Sequence, residues 1–523
     1  VVVGAGFAGM YALYRLRELG LRVRAFETGD GVGGTWYWNC YPGARVDVQS
    51  LSYSYSFSPE LQQDWCWPET FSSQPELLKY ANHVADRFDL RRDIRFETTV
   101  NGAEYIESVN RWRITTDRGD CVLTRYLVTA AGCLSATNVP DFKGIESFEG
   151  QWYHTSRWPK EGVDLAGKRV GIIGTGSTGI QAVPVIAEEA SHLYVFQRTP
   201  NYSLPTGNRP MDPAYEQEWK ANYDVHRELD RSSYAARHVP APDRSALEAS
   251  PEERDEAYEA AWGEGAFAMM LTFKDLRTSR EANETAAEFV RGKIRAIVKD
   301  PEVAELLCPK DYPLGTKRLC LDSDYFETFN RDNVTLVDVK THPIEEITPT
   351  GLRTAKESYD LDVLVFATGF DAMTGPLLRM NITGRGGLSL KEKWEHGPRT
   401  YLGLSTAGFP NMFMITGPGS PSVLASMITA IEQHVDWIAG AIVHAAETGR
   451  EVMEASPEAE DQWVDHVNEV ADQTLYRFAN SWYLGANIPG KPRVFMPYVG
   501  GFNVYRDKCD QVAAAGYPGF VLT

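Results

Sequence analysis

The sequence predicts an α/β fold in which two similar strand–turn–helix units occur in one chain together with a helical insertion. Two glycine-rich turns, at residues 4–9 and 174–179, each follow a run of β-branched residues and precede a helical stretch. Strands that alternate with helices in this way are typical of parallel sheets. A third observation is an acidic stretch from about residue 212 to 303, which is rich in helix-forming residues. These three features define the predicted architecture.

Size and charge limit the classes of function. A chain of 523 residues exceeds one ordinary core, so we expect two or three domains. The net charge of −19 argues against a nucleic-acid partner, because an acidic protein repels a phosphate backbone. A ligand that carries phosphate must therefore be held by local cations and helix N-termini.

The cysteines and the apolar runs bear on location. No two cysteines have C-x-x-C spacing, which predicts reduced thiols in a cytoplasmic protein, no metal site and no redox dithiol. No uncharged apolar run approaches the roughly 18 residues that span a bilayer, so we expect no membrane association. Val1 lies inside a strand pattern and is not an initiator Met, so we expect further residues before it. The seven cysteines are Cys40, Cys66, Cys121, Cys133, Cys308, Cys320 and Cys509.

The first glycine-rich turn has G-x-G-x-x-G spacing in the context that dinucleotide binding requires. Gly4 permits the tight turn, Gly6 lets the backbone approach a pyrophosphate, and Gly9 lets the helix pack on the strand. The next strand ends at Glu27, whose carboxylate would accept hydrogen bonds from ribose hydroxyls and repel a 2′-phosphate. This combination predicts FAD as the ligand.

The second turn repeats the pattern with Gly174, Gly176 and Gly179. Gln197 stands as far beyond Gly174 as Glu27 stands beyond Gly4, and Arg198 follows it. Loss of the acid and gain of a guanidinium suit a 2′-phosphate, which predicts NADPH. One such turn is weak evidence, since glycine turns also form for packing alone. Two of them predict an α/β protein with two Rossmann-like dinucleotide-binding domains, for FAD and NADPH.

The domains are predicted to be discontinuous. Residues 361–366 form a buried strand pattern that enters Ala-Thr-Gly at 367–369, a place where such chains pass between domains, although a plain strand end fits as well. Residues 250–253, Ser-Pro-Glu-Glu, predict a helix start with a capping box. Two more helices are predicted at about 422–446 and 456–478. The FAD-binding domain comprises residues 1–133 and 370–523, and the NADPH-binding domain residues 134–369, with the helical insertion at about 206–309.

Residues 148–159 read F-E-G-Q-W-Y-H-T-S-R-W-P and carry a pattern of wide spacing, F-x-G-x-x-x-H-x-x-x-W-P. On this pattern the chain resembles the Baeyer-Villiger monooxygenases, which are class B flavoproteins. Related flavoproteins that oxidise nitrogen or sulfur share the first part of the pattern but commonly end differently. The fingerprint residues are Phe148, Gly150, His154, Trp158 and Pro159.

The resemblance implies an enzyme that uses FAD, NADPH and dioxygen to convert ketones to esters or lactones through a flavin peroxide. The alternative is a related flavin monooxygenase that oxidises nitrogen or sulfur centres. A disulfide reductase would need a cysteine pair near the flavin, and Cys40 has no near partner in sequence. A flavin-binding sensor would not need a second site suited to a 2′-phosphate. The expected partners are a ketone and dioxygen, and the protein is expected to be a monomer, with an oligomer left open.

The resemblance also assigns roles to individual residues. Arg318 and Asp47 are the catalytic residues it implies: Arg318 lies beside the flavin and stabilises anions, and Asp47 orients Arg318. Without the resemblance, a structural ion pair and a turn residue would be the default interpretations. His154 and Trp158 are expected to couple domain movement to nicotinamide binding, with apolar packing as the rival role for Trp158. The chain departs from the family pattern at Cys40, where relatives commonly carry Arg, and at residues 46–49.

The remaining implied contacts fall into three groups. Gly34, Thr35 and Trp36 form a flavin-proximal loop, and Ser177 lies within the second turn. Arg198, Thr199 and Lys317 are predicted to contact the 2′-phosphate, and Trp482 is expected on a mobile loop that contacts the cofactor and closes over the site. The ketone pocket is predicted to include Ser422, Val423, Leu424 and Met427.

Overall fold

In the computed structural model, which describes residues 1–237 and 239–523, each glycine-rich turn follows a strand inside a parallel sheet. The predicted α/β class is confirmed. Val2 pairs with both Ala25 and Val128, so the first strand lies inside its sheet and not at an edge. The strands of this first sheet, in spatial order, are Met412–Met414, Leu127–Thr129, Val2–Val3, Ala25–Phe26 and Ile94–Arg95.

The second parallel sheet surrounds the strand that leads into the second glycine-rich turn. Its apolar strands are buried between two layers. One face packs against helices, whereas Leu364 and Phe366 on the other face pack against the small antiparallel sheet within residues 344–360. The fingerprint segment supplies an edge strand, in which His154 is in register with Phe366. In spatial order the strands are Val334–Asp338, His192–Gln197, Arg169–Ile173, Val363–Phe366 and Gln151–His154.

Smaller sheets flank these two. A four-stranded sheet contains Ile382–Thr383, Val100–Ile106, Arg111–Thr116 and Cys121–Thr124, and a three-stranded antiparallel sheet contains Ile344–Thr348, Gly351–Thr354 and Ser358–Asp360. Two-stranded pairs join Ser203–Pro205 to Cys320–Asp322 and Met453–Ala455 to Phe520–Leu522.

The glycines of both turns are required by their geometry. Gly4 and Gly174 have φ values of +103° and +114°, which side chains rarely allow. A Cβ on Gly9 would lie 1.9 Å from the carbonyl oxygen of Gly4, and a Cβ on Gly179 would lie 2.1 Å from that of Gly174. The third glycine of each turn therefore lets the helix pack directly against the turn that precedes it.

Helices occupy the predicted insertion and the C-terminal part. The capping box at Ser250 is confirmed. Ser250 Oγ accepts from the Glu253 backbone N–H, and the Glu253 carboxylate accepts from the Ser250 backbone N–H. The described helices are Phe7–Glu18, Thr35–Trp38, Pro59–Asp64, Gln74–Arg87, Ser177–Glu189, Pro213–Ala221, Tyr223–Arg231, Pro251–Ala261, Ala266–Met270, Arg280–Ile297, Pro301–Leu307, Tyr325–Thr328, Gly375–Leu378, Leu390–Lys393, Met427–Glu447, Pro457–Asp472 and Phe502–Ala514.

The two predicted C-terminal helices differ from the observed ones at their ends. The first begins at Met427 instead of about residue 422, because Ser422 has a φ of +44° and residues 422–424 form a separate 3₁₀ turn. The second ends at Asp472, and the Thr474 hydroxyl then accepts from the Tyr476 N–H to start another 3₁₀ turn. Within the described part of the chain, none of the helices has both the length and the apolar character that a membrane crossing needs.

Candidate active site

The first glycine-rich turn is held from beneath by Glu27. One carboxylate oxygen accepts from the Ala5 N–H at 2.8 Å and the other from the Gly29 N–H at 2.8 Å. Burial raises the pKa of this carboxyl, although the backbone donors oppose that effect. Thr28 and Trp38 also act on the carboxyl by hydrogen bonding, so the side chain stabilises the turn. Its place directly after the second strand fits the predicted ribose contact.

The predicted flavin-proximal loop lies directly against this turn. A Cβ on Gly6 would lie 3.2 Å from Gly34 Cα, and Gly33 donates to the Ala5 carbonyl at 3.1 Å. Thr35 is exposed at the start of a short helix, whereas Trp36 is buried and its Nε1 donates to the Tyr53 hydroxyl at 3.2 Å. The structure thus brings the loop and the turn together, with two bare glycine backbones between them.

Both glycine-rich turns fit a bound diphosphate. In the described residues, the helices that begin at Phe7 and Ser177 have glycine N-caps and no side-chain cap. Their first N–H groups are therefore available to an anion, which the helix dipole favours. A Cβ on Gly176 would meet nothing within 4 Å, so that face of the turn is open. Ser177 itself places its Oγ 3.1 Å from Cys320 Sγ.

Arg318 and Asp47 come together although 271 positions separate them in sequence. Asp47 Oδ2 accepts from Arg318 Nε at 3.0 Å and from Nη2 at 2.5 Å, while Arg318 Nη1 donates to the Val423 carbonyl at 2.7 Å. Burial opposes ionisation of Asp47, but the Arg318 guanidinium outweighs it and lowers the pKa of that carboxyl. The site therefore holds a charged pair whose guanidinium is fixed at both ends.

The predicted ketone-pocket residues adjoin this pair. Val423 and Leu424 are buried in one apolar cluster with Tyr483 and Phe495, and Met427 and Trp482 pack against it. Ser422 is fully buried, and its hydroxyl contacts the Met373 sulfur at 3.7 Å. Since the Val423 carbonyl is a partner of Arg318, the loop places an apolar wall next to a fixed positive charge.

Arg198 and Lys317 form a pair of cations at the second unit. Burial, and then the charge of Arg198, lower the pKa of Lys317 to about 8. Neither side chain forms an ion pair with a carboxylate among residues 1–237 and 239–523, and Lys317 Nζ lies 4.6 Å from the Tyr312 ring centre. Thr199 is tied to the turn, because its carbonyl accepts from Thr175 Oγ1 at 2.9 Å. This arrangement fits a dianionic phosphate.

Gln197 does not face that cation pair. Its Nε2 donates to the Leu306 carbonyl at 2.8 Å, so the residue that replaces the acid anchors the helical insertion. The sequence could predict the loss of the acid but not this contact, since Leu306 is far away in the chain.

The fingerprint residues make a hydrogen-bonded junction. His154 Nδ1 lies 2.9 Å from Ser156 Oγ and Nε2 lies 3.2 Å from Thr368 Oγ1, which donates to the Asn138 carbonyl at 2.7 Å. Burial lowers the pKa of His154 to about 4, so the imidazole is neutral. Residues 138 and 368 lie near the two predicted domain boundaries, so the junction ties both crossings of the chain together.

The other fingerprint residues make close contacts and hydrogen bonds with neighbouring parts of the chain. A Cβ on Gly150 would lie 2.5 Å from both the Phe148 ring and the Asp362 carbonyl oxygen, which explains the Phe-x-Gly pair. Trp158 is buried, and its carbonyl accepts from the Cys40 thiol at 3.3 Å. Pro159 follows, and its carbonyl accepts from the Gly162 N–H. Cys40, where the chain departs from the family pattern, thus contacts the fingerprint.

Two residues near Asp47 were missed in the sequence. Arg237, from the helical insertion, is buried and directs Nη1 to the Asp47 carbonyl at 3.5 Å. Tyr483 lies next to Arg318, and burial raises its pKa to about 12. Neither lies in a recognisable motif, and Arg237 is 190 positions from Asp47 in the sequence. In the described residues, acidic, His and Cys side chains form no cluster suited to a metal ion.

Comparison with known proteins gives consistent matches. The family model described as flavin-binding monooxygenase-like matches residues 1–217. A Baeyer-Villiger monooxygenase of Pseudooceanicola batsensis is 48% identical, over 100% of this chain and 95% of that protein. Phenazine N-monooxygenase PhzNO1 of Lysobacter antibioticus is 44% identical, over 100% and 96%. The structure of an oxidized steroid monooxygenase bound to NADP superposes with a TM-score of 0.96 at 55% identity, over 100% of this chain and 98% of that one.

Proposed function

The chain belongs to the Baeyer-Villiger monooxygenases, and from this membership we propose that it converts ketones to esters or lactones with FAD, NADPH and dioxygen. The observation that carries the proposal is the Arg318–Asp47 pair, which is bonded to the Val423 carbonyl of an apolar loop. A fixed guanidinium beside an apolar wall suits a neutral ketone whose oxygen becomes negative during reaction.

We propose that the two glycine-rich turns hold the two cofactors. Gly4, Gly6 and Gly9 would hold the FAD diphosphate, with Glu27 at its ribose, and Gly34, Thr35 and Trp36 beside it. Gly174, Gly176, Ser177 and Gly179 would hold the NADPH diphosphate, and Arg198, Thr199 and Lys317 its 2′-phosphate. When bound, NADPH supplies a hydride to FAD, and FAD brings the reducing equivalents to dioxygen.

Arg318 supplies electrostatic stabilisation in this proposal. A guanidinium stays charged at every working pH, and the ion pair raises the pKa of Arg318 further, in spite of burial. When the carbonyl carbon is attacked, its oxygen gains negative charge, and a donor already fixed in place needs no reorganisation. Asp47 keeps the guanidinium in that orientation, because both Nε and Nη2 donate to it.

The pocket loop, which comprises residues 422–427, and Trp482 control access to the site in this proposal. Val423, Leu424 and Met427 would contact the apolar part of the ketone, while Ser422 supports the turn that presents them. Trp482 packs at the border of the same cluster and keeps partial exposure. We propose that it closes over the ketone and the nicotinamide and excludes water.

The function is tested by aerobic incubation of the FAD-loaded protein with NADPH and a panel of linear, cyclic, aryl and steroid ketones. We expect products 16 mass units heavier than at least one ketone, with ester or lactone fragmentation. An N-heterocycle and a sulfide belong in the panel, because one relative is named an N-monooxygenase. Oxygenated heterocycle or sulfide without any ester would favour the alternative activity, and hydrogen peroxide alone would refute both.

The role of Arg318 is tested by Arg318→Ala. We expect loss of ester formation, by at least about 100-fold, with FAD content retained, because a fixed positive charge at the reacting atoms is removed. Arg91→Ala is the matched control, since Arg91 is partly exposed and pairs with Asp86 on the surface. Ester formation by Arg318→Ala at close to the wild-type rate would refute the assignment.

A further inference from the structure

Arg237 reaches the Asp47–Arg318 pair from the helical insertion. The helix Tyr223–Arg231 ends six residues before it, and the chain then turns inward. Arg237 is 8% exposed, and its Nη1 lies 3.5 Å from the Asp47 carbonyl oxygen. Arg318 binds the carboxylate of the same residue. Asp47 is therefore contacted by two guanidiniums, one at its side chain and one at its backbone.

The segment that carries Arg237 is fixed on several sides. Ser233 Oγ accepts from the Arg237 N–H at 2.8 Å and donates to the Arg237 carbonyl at 2.6 Å. The Ala235 carbonyl accepts from the Ser426 N–H at 2.9 Å, directly before the helix that carries Met427. Ala236 is fully buried and has a φ of +51°, a conformation that costs free energy outside glycine. The geometry thus places Arg237 with little freedom.

The charges near Arg237 indicate more than space filling. Burial lowers the pKa of Arg237, and the carboxylates of Asp47 and Asp230 oppose that change. A buried guanidinium costs several kcal/mol of desolvation unless carboxylates and hydrogen bonds compensate it. An apolar side chain would fill the same space without that cost. The presence of a cation here is explained if its charge acts on Asp47.

The other titratable groups that face Asp47 are uncharged near neutral pH. Burial raises the pKa of the side chains of Tyr41, Tyr53, Tyr483 and Cys320, all of which feel the Asp47 charge. The charged groups that act on the Asp47 carboxyl are therefore Arg318 and, to a smaller extent, Arg237. Removal of Arg237 leaves one cation where the site has two.

We propose that Arg237 is a positioning residue, which fixes Asp47, and through it Arg318, in the geometry that the reaction with the ketone requires. The inference rests on the proposed function for its kinetic test but not for its structural one. It links the helical insertion to the reacting atoms through one side chain.

The test compares Arg237→Met and Arg237→Lys with wild type in the FAD-loaded enzyme. Arg231→Met is the matched control, because Arg231 lies on the preceding helix and donates to Ser56 at 2.9 Å. The readouts are the fraction of consumed NADPH that yields ester, the pH profile of ester formation, FAD content and melting temperature. Crystal structures of wild type and Arg237→Met supply the distance from Arg318 Nε to Asp47 Oδ2, which is 3.0 Å here.

We expect Arg237→Met to lose about 10- to 100-fold in ester formation, since a small misplacement of a reacting group has this effect. In this variant the acid limb of the pH profile of ester formation should move to higher pH. The reason is that the Asp47 carboxyl loses a nearby cation, and that cation lowers the pKa of Asp47. Arg237→Lys should keep the wild-type limb, and Arg231→Met should match wild type throughout. The proposal would be overturned if Arg237→Met left unchanged both the acid limb of the pH profile and the fraction of consumed NADPH that yields ester. A loss of rate that is equal at every pH would also overturn it.

Two further arms keep the result decisive. If Arg237→Met does not fold, Ser233→Ala loosens the Arg237 backbone and keeps the charge, and it should lower the fraction of NADPH that yields ester; an unchanged fraction would overturn the inference. If wild type makes no ester, the proposed function fails, and the crystal structures still decide: an Asp47–Arg318 pair unmoved in Arg237→Met refutes the positioning role.

Discussion

At the scale of single residues, Lys317 and Arg198 bring two positive charges together with no paired carboxylate in the described part of the chain. Burial and this repulsion hold the pKa of Lys317 at about 8. A phosphate dianion between the two cations would reverse the repulsion and raise that pKa. Cofactor affinity should therefore depend on the protonation of Lys317 in the free enzyme.

The KM for NADPH should stay level below pH 8 and rise above it, by up to about tenfold per pH unit, as Lys317 loses its proton. Arg198→Ala should raise the KM for NADPH about tenfold or more and barely change that for NADH, which lacks the 2′-phosphate. Steady-state kinetics with both cofactors between pH 6.5 and 9.5 measure this. An unchanged NADPH:NADH preference would contradict the assignment.

His434 acts in its neutral form, whereas Lys317 is proposed to act in its charged form. It is fully buried, its Nδ1 accepts from the Thr416 N–H at 2.9 Å, and burial lowers its pKa to about 3. Thr416 has a φ of +56°, unusual for a β-branched residue, just before the pocket loop. A neutral imidazole is therefore needed to accept this bond.

Stability should fall as pH falls below 6.5, because the unfolded chain then binds a proton that folded His434 refuses until about pH 3. At pH 5 this costs about 2 kcal/mol, and His154, with a pKa of about 4, adds to it with the same sign. Urea unfolding at pH 7 and pH 5 measures the difference for wild type and His434→Gln, whose amide oxygen can accept from Thr416. Equal pH dependence in the two proteins would be evidence against this account.

At the scale of elements, the sequence predicted the features that depend on residues close together in the chain. The glycine-rich turns and the Ser250 capping box lie where the sequence indicated, because each depends on residues within one or two turns. Helix ends at Met427 and Asp472 were placed about five residues off, since a positive φ at Ser422 and the Thr474 cap are not evident from spacing. The contacts of Arg237 and Gln197 were not predictable, because tertiary packing alone brings their partners near.

Gly150→Ala should destabilise the protein by about 1–3 kcal/mol, as the added methyl would lie 2.5 Å from Asp362 O and the Phe148 ring. The matched control has the opposite sign: Gly292→Ala, in the middle of the helix Arg280–Ile297 with no atom within 4 Å of the new Cβ, should stabilise by up to about 1 kcal/mol. Calorimetry of both variants measures the two effects. A Gly150→Ala protein as stable as wild type would show that the strand can shift.

At the scale of the whole molecule, we propose that residues 1–133 and 370–523 form the FAD-binding domain and residues 134–369 the NADPH-binding domain. The first sheet supports this division, because Met412–Met414 pairs with Leu127–Thr129. The His154–Thr368–Asn138 junction connects the two chain crossings. Binding of the nicotinamide cofactor should therefore change the backbone dynamics at both places where the chain passes between the domains, near residues 138 and 368.

Hydrogen exchange with and without NADP⁺ should show added protection at residues 174–179 and also at 137–138 and 367–369. In His154→Ala the protection at 174–179 should remain while that at the crossings falls, since the bond to Thr368 is lost. If NADP⁺ protected only residues 174–179 in wild type, the His154–Thr368–Asn138 junction would not carry the effect of binding to the two chain crossings.

The pairing of Leu127–Thr129 with Met412–Met414 also has a consequence for biosynthesis. The edge of the earlier strand waits while about 280 residues leave the ribosome, roughly 15 to 60 seconds at ordinary translation rates. A nascent chain with an open, apolar strand edge for that long is a natural client for chaperones. Soluble yield should rise when a co-translational chaperone is overproduced, and a yield indifferent to chaperone level would count against this order of assembly.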